Sequence, residues 1–563
     1  MSHFGRTLQR FDRDPTGRRW IYAPYDQLSS DMGRLSREPP STLGLILVEN
    51  PWKADRRPYH RQKLALILAN GRHFALEQAR RGVAVRVAVA DGPYRTALEP
   101  LIGELGPIEV MRPAERELRA DLQPLIDNGG LIEVAHEGWL SEPRDFDASQ
   151  KSTPPWRMDA FYRRMRRRTG LLMDAGKPIG GKYSFDADNR QPWPGEPAAP
   201  TPPVFEPDPI TREVADLIEQ RFAHHPGVID LDSLPATAAD AERLWSWACE
   251  RCLPLFGPYE DAMSIRSRGL FHTRIAGLLN IHRLLPARVV AEVAAMDLPI
   301  ASQEGFIRQV LGWREFVHHV HERTEGFRSL SGPPPPTIAD RPGDAGWGVW
   351  TGKSWPRSAT THEPDGGASP SLLGADRPLP EGFWPNRPTG LACLDRVVDD
   401  VWAEAWSHHI TRLMVLCNLA TLLEVEPRQL TDWFWVAFLD AYDWVVEPNV
   451  LAMGSFAVGP LMTTKPYVSG AAYLNRMSDY CSTCAFRPTA DCPITNLYWA
   501  FLDRHREILA GNHRMRLVLS SLRTRSAEKL EQDRAVFGWV SHTLAAGDRL
   551  RPSDRPEATC STP

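Results

Sequence analysis

Cys481-Ser-Thr-Cys484 is followed eight residues on by Cys492-Pro493, in a chain otherwise sparing of cysteine. A C-x2-C pair brings two thiolates onto one centre, and a third cysteine followed by proline matches the end of a ferredoxin-type ligand run. Three thiolates leave one position to fill. Cys393, Cys417 or the second pair, Cys249-Glu-Arg-Cys252, could fill it, and four thiolates suit zinc as well as an iron–sulfur centre. The plain alternative is a set of buried thiols.

A second group is Arg163-Arg164-Met165-Arg166-Arg167-Arg168, more guanidinium than neighbouring carboxylates can pair. With Lys182 and Arg190 further along, and Trp156, Phe161, Tyr162 and Tyr183 as flanking rings, the run reads as a phosphate-contacting strip for nucleic acid. A solvated helix face is the bland reading.

The elements that must carry these groups follow from hydrophobic periodicity. Short apolar runs at 20–23, 43–48, 83–89, 108–110 and 131–134 alternate with helical patterns at 62–81 and 114–126, which predicts a parallel α/β domain over 1–144. No G-x-G-x-x-G follows the first strand, so the dinucleotide fingerprint is absent. Residues 145–209, rich in Pro, Asp and Arg, read as an extended connector. From 210 to 525 the 3.6-residue period dominates, an all-α domain interrupted at about 332–380 by a Pro/Gly-rich insertion expected to be mobile on the surface. Residues 526–563 read as a C-terminal helix and tail, the last fifteen disordered.

With 563 residues, 42% hydrophobic and 24% charged, the chain can bury several substantial cores, and no apolar run reaches the roughly 18 residues of a membrane span. The N-terminus lacks the apolar stretch of a secretory signal, so a reducing cytoplasm that keeps thiolates available is expected. A net charge of −4 argues against a uniformly basic coat, though not against a local basic patch.

Five stretches carry a resemblance: 161–173, 180–190, 304–315, 408–414, and 465–481 with its Lys465-Pro466-Tyr467 and Asn475-Arg476-Met477-Ser478-Asp479-Tyr480-Cys481. In this order along nearly the whole chain they resemble the iron–sulfur bacterial cryptochromes and photolyases, the prokaryotic (6-4) branch of the photolyase/cryptochrome superfamily. The resemblance implies a Rossmann-like N-terminal domain and an all-α domain binding FAD, and a monomer that acts on UV-damaged DNA. It implies one [4Fe-4S] cluster on Cys393, Cys481, Cys484 and Cys492. The positions matching its flavin contacts are Tyr259, His272, Thr273, Arg274, Asn280, Gln309, Trp313, Arg314, Asp440 and Tyr442. A flavin diphosphate wants hydroxyl, amide and guanidinium donors, which 270–275 would offer at the start of a helix.

The same resemblance puts His408 and His409 on a helix with Arg412 one turn later, His409 as the acid that protonates the lesion, His408 positioning it, and Tyr467 lining the lesion pocket. Imidazole is the side chain that supplies a general acid near neutral pH. Trp384 and Trp433 match an electron relay to the flavin, with Phe434 where the family has a tyrosine. Val446 stands where this branch places a glutamate beside flavin N5, with Glu447 one step on. Valine cannot hydrogen-bond N5. Near Glu49 the family holds an antenna, 6,7-dimethyl-8-ribityllumazine, though the acidic pair expected after Glu49 is missing. The leading expectation is light-driven electron transfer from reduced FAD to a (6-4) pyrimidine dimer. A blue-light cryptochrome, or a flavin enzyme acting on a small molecule, are the alternatives.

Overall fold

The structure, a computed structural model, describes residues 2–11, 14–330 and 367–557. Strands β1 (Arg19–Tyr22), β2 (Leu43–Glu49), β3 (Ala84–Val89), β4 (Ile108–Met111) and β5 (Leu131–Val134) form one parallel sheet in the order β3-β2-β1-β4-β5. Each predicted apolar run became a strand because helices Arg61–Arg80, Tyr94–Leu105 and Arg116–Asp127 cover the sheet and make mostly apolar runs favourable. Gly44 permits the close pairing at the centre, since a Cβ there would lie 2.4 Å from the indole of Trp20 opposite it.

The expected extended connector is corrected. It holds the helices Pro143–Ser149 and Met158–Thr169, and Trp156, Phe161 and Tyr162, expected to flank nucleic acid, are buried in the main core instead. Aromatic residues at helical spacing found a core before they found a ligand.

The remainder is helical, from Pro209–Arg221 to Ala527–Ala545. It docks on the sheet domain through buried groups. Lys63 Nζ donates to the carbonyls of Trp435 and Ala441, His60 N donates to Val436 O at 2.9 Å, and the Asp443 carboxylate accepts from Arg116 N at 2.7 Å.

Most of the predicted insertion lies outside the described residues. From 367 to 380 the chain is not a free surface loop: Leu373 and Leu379 are buried, and Glu426 N donates to Arg377 O at 2.8 Å. The predicted tail is likewise corrected up to 557, because Leu550 is buried and its N–H donates to Thr389 O at 2.8 Å. Among the described residues no helix is long and apolar enough to cross a membrane.

Candidate active site

Helix Ala392–Glu404 stops at Ala405, which takes a left-handed conformation (φ 51°), and a new helical segment begins at His409. The helical path is therefore broken between Ala405 and His409. His408 is the extended residue before the restart, so the two histidines leave the backbone in different directions. Thr411 Oγ1 donates to His408 O at 2.8 Å and the Arg412 guanidinium to Ser407 O at 2.7 Å, which pins the turn.

Three imidazoles meet there. His272 stacks on His408 with centroids 4.4 Å apart and planes 13° from parallel, and His409 approaches His272 edge-on at 5.3 Å. Burial, and then neighbouring imidazole charge, pushes His272 and His408 well below 6.5, so both rings are neutral at pH 7. His272 Nε2 and His408 Nδ1 are buried without a hydrogen-bond partner among the described residues. Such nitrogens are what the polar edge of a bound group would satisfy.

Beneath them Arg412 holds Asp440 with two hydrogen bonds of 2.9 Å and lies over the Phe438 ring. Asn280 Nδ2 donates to Asp440 O at 2.8 Å, and Arg314 reaches Asn280 Oδ1 at 3.4 Å. His409 faces outward, its side chain 42% exposed, with Nε2 3.9 Å from Asp261. Burial beside Glu260 raises Asp261 to about 7. Desolvation lowers His409 while Glu260 pulls it back. An imidazole and a carboxyl thus lie side by side, and burial makes the hydroxyls of Tyr467 and Tyr473 harder to ionise. This arrangement can hold an aromatic cofactor below and hand a proton to something above.

The family model described as "Deoxyribodipyrimidine photo-lyase-related protein" matches residues 19–233. A "(6-4) photolyase" of Agrobacterium fabrum is 33% identical over 512 residues, covering 87% of this chain and 92% of that relative. The chain belongs to the photolyase/cryptochrome family. Two solved structures share the fold: a bacterial class III photolyase from Agrobacterium tumefaciens (TM-score 0.51, 14% identity, 94% of this chain and 98% of that one) and a Synechocystis cryptochrome (0.50, 13%, 92% and 94%).

In this photolyase-family chain the other residues expected at the flavin divide. Arg274 is committed to Glu404 and to the Trp406 ring, Gln309 donates to Glu260, Tyr259 stacks on Phe271, and Trp313 packs edge-on to Phe316. Thr273 is buried beside His272, but the helix expected to open at 270–275 begins only at Ala276 and is five residues long, so it offers no helix terminus there. Tyr442 faces away. It stacks on Tyr25 (6.2 Å, 17°) and lines a cavity of about 330 Å³ between the sheet and the helices.

Glu49, Lys53, Lys63, Tyr59 and Tyr94 also line that cavity. Both Glu49 oxygens are taken by Arg72, and burial lowers the ammonium pKa of both lysines.

Val446 is buried among apolar residues. The neighbouring Glu447 carboxylate is committed elsewhere: it accepts from Arg428 at 2.7 Å and pairs with His321 at 2.9 Å. Although burial opposes its charge, the His321 hydrogen bond and the Arg428 cation hold Glu447 down to about 2.

Sequence reasoning missed Trp402. Its ring stacks on Trp384 (5.3 Å, 20°) and meets Trp433 edge-on (5.9 Å), joining the two tryptophans expected to form a relay.

The four cysteines lie in one neighbourhood. Cys393 and Cys492 are buried, Cys481 and Cys484 partly so, and the Cys393 thiol is pushed well up by burial and by the charges of Cys492, Cys484 and Cys481. The chemistry of four thiols suits a thiolate-held cluster, but among the described residues no group of three or more His, Cys, Asp or Glu is placed to hold a metal ion. Cys249 and Cys252 lie elsewhere, Cys252 against His272 O.

The arginine run is more paired than expected. Arg166 is fully buried and donates to the carbonyls of Leu171, Leu172 and Tyr183, while Arg168 pairs with Asp145 and Arg163 with Asp159. Arg163 and Arg167 flank the Tyr183 ring, Arg164 is partly exposed 4.0 Å from Asp145, Lys182 pairs with Asp188, and Arg190 reaches Asp186 and Asp261. Arg163, Arg164, Lys182 and Arg190 are each about half exposed beside a carboxylate.

Proposed function

We propose that this protein is a light-driven DNA photolyase whose lesion is the (6-4) pyrimidine dimer, with His409 as the proton donor. The observation that carries the reading is the outward-facing His409 above the neutral His272–His408 pair and the Arg412–Asp440 clamp, in a chain one-third identical to a (6-4) photolyase across almost its full length.

FAD, when bound, supplies the light-excited electron; His272, His408, Arg412 and Asn280 are the residues that would hold it. The protein's own part is to keep His272 and His408 uncharged, fix Arg412 on Asp440, and present the His409 proton at the crevice mouth. A lesion reaches that mouth by flipping out of the duplex, which costs little for a damaged, poorly stacked pair. Arg163, Arg164, Arg167, Lys182 and Arg190 would contact its phosphates. Cys393, Cys481, Cys484 and Cys492 would hold a [4Fe-4S] cluster, and the cavity beside Tyr442 would take the lumazine antenna, with Lys53 and Lys63 rather than Glu49 as its polar contacts.

A buried valine at Val446, the position the family resemblance puts beside flavin N5, favours a cryptochrome as the second reading, since it offers no hydrogen bond there. The double variant Arg163→Ala, Arg167→Ala tests the DNA reading. Loss of binding to a (6-4)-containing duplex, with a shallower salt dependence, supports it; unchanged binding contradicts it.

A further inference from the structure

Arg157, Lys465 and Arg514 were assigned no role by the sequence, and they differ from the arginine run in lacking an acidic partner. Arg163, Arg168, Lys182 and Arg190 each hold a carboxylate. Arg157 instead donates to two backbone carbonyls, Trp156 O at 2.9 Å and Pro460 O at 3.2 Å, and neither Lys465 nor Arg514 is ion-paired among the described residues.

Three separate segments bring these cations together. Arg157 immediately precedes the helix Met158–Thr169. Asn512 fastens the other two: its Nδ2 donates to Thr464 O at 2.8 Å while its Oδ1 accepts from Arg514 N at 3.0 Å, so one amide side chain ties Arg514 to the residue before Lys465. Arg157 and Arg514 both act electrostatically on the Tyr467 hydroxyl, and Arg514 acts on Lys465. Arg190 belongs to the same surroundings and reaches Asp261 at 3.6 Å, itself 3.9 Å from His409. The carboxylate that acts on Tyr467, Asp186, is already taken by Arg190.

We infer that Arg157, Lys465 and Arg514 form a binding site for one backbone phosphate of the nucleic-acid strand that enters beside Tyr467. The inference rests on the DNA reading above and names the place where the strand is held next to His409. Cations gathered without a counterion repel one another, and an arriving phosphodiester relieves that repulsion. An arginine of the run must first give up Asp159 or Asp145, whereas Lys465 and Arg514 give up only water. The Lys465 ammonium is pushed down by burial and then by Arg514 and Arg190, so an anion beside it favours its charged form. Each guanidinium can offer a phosphate two parallel donors. A role in solubility would explain exposed cations, but not an asparagine that ties one of them to the loop of another.

The test titrates flavin-loaded protein with a duplex containing a single (6-4) dimer over a series of salt concentrations. Lys465→Ala combined with Arg514→Ala is expected to weaken binding at least fivefold at physiological salt and to lower the slope of log affinity against log salt by about 0.9, the value for one phosphate. Arg514→Lys, which keeps the charge, is expected to keep the slope. Asn512→Ala, which keeps both cations and unties them, is expected to weaken binding by a smaller factor. Arg37→Ala, which removes a cation paired with Glu137, is expected to change neither quantity. Wild-type affinity and slope in the double variant would overturn the inference. A second arm needs no DNA: inorganic pyrophosphate is expected to slow acylation of Lys465, followed by mass spectrometry, in the wild type and not in Arg514→Ala. An unprotected Lys465 would overturn the site. Protection of Lys465 in a wild-type protein that binds no DNA would count against the DNA reading and overturn the nucleic-acid occupant, leaving a site for a free phosphate compound.

Discussion

Arg412 and Asp440 face each other as a bidentate pair, both hydrogen bonds 2.9 Å long, with Asp440 almost fully buried. A pair of this kind fixes orientation as well as charge, and removing one partner strands the other in a low-dielectric site at a cost of about 3–5 kcal/mol. Asp440→Ala is therefore expected to lose flavin during purification and to lower the unfolding midpoint by several degrees, readable by absorbance and calorimetry. Arg412→Lys should retain part of the stability yet lose the clamp, because an ammonium cannot bond both oxygens in parallel.

Asp26 gives a prediction about pH. Its carboxylate is buried, neither oxygen has a hydrogen-bond partner among the described residues, and burial raises it to about 6 from 3.8. The folded state then binds a proton more tightly than the unfolded state, so the stability linked to Asp26 is full below about pH 4 and lost as pH rises through 6. Asp26→Asn should raise the unfolding midpoint at pH 8, by the equivalent of up to about 3 kcal/mol, and do almost nothing at pH 4. An equal effect at both values would show that charge is not the cause.

The sheet was legible in the sequence because each strand is a short, mostly apolar run, although Arg86, Glu109 and Glu133 interrupt three of them. The helical domain was legible as helix, but its breaks were not: Ala405 adopts a left-handed turn with no glycine to announce it. That break is what separates His408 from His409. Trp156, Phe161 and Tyr162 were misread because an aromatic residue near arginines looks the same whether it faces solvent or core, and only tertiary packing decides. Trp402 and His60, 342 residues apart, meet through a contact that no local pattern could signal. Cys481, Cys484 and Cys492 stand out in the sequence by their close spacing, whereas Cys393 lies far upstream and no local pattern joins it to them.

For the cysteines, anaerobic protein is expected to contain about four irons per chain and no stoichiometric zinc. Cys393→Ser should abolish the iron and destabilise the helix carrying Trp402, whereas Cys249→Ser should leave iron content unchanged. Iron retained in Cys393→Ser would exclude it as a ligand.

His409 must carry its proton to act as an acid, so activity should fall as pH rises through its pKa, which desolvation sets below 6.5. Glu260 is the largest influence favouring the protonated imidazole. Glu260→Gln should move the alkaline limb of the rate profile to lower pH. A shift to higher pH, or none, would show that the two groups do not share the crevice electrostatically.

The most direct measurement is blue-light repair of an oligonucleotide containing a single (6-4) dimer by anaerobically purified, reduced protein beside its His409→Ala variant. Restoration of the intact pyrimidines by the wild type, slowed at least 100-fold in the variant at equal flavin content, is the predicted result. No repair by wild-type protein with full flavin and iron would contradict the assignment and leave light sensing without repair as the reading.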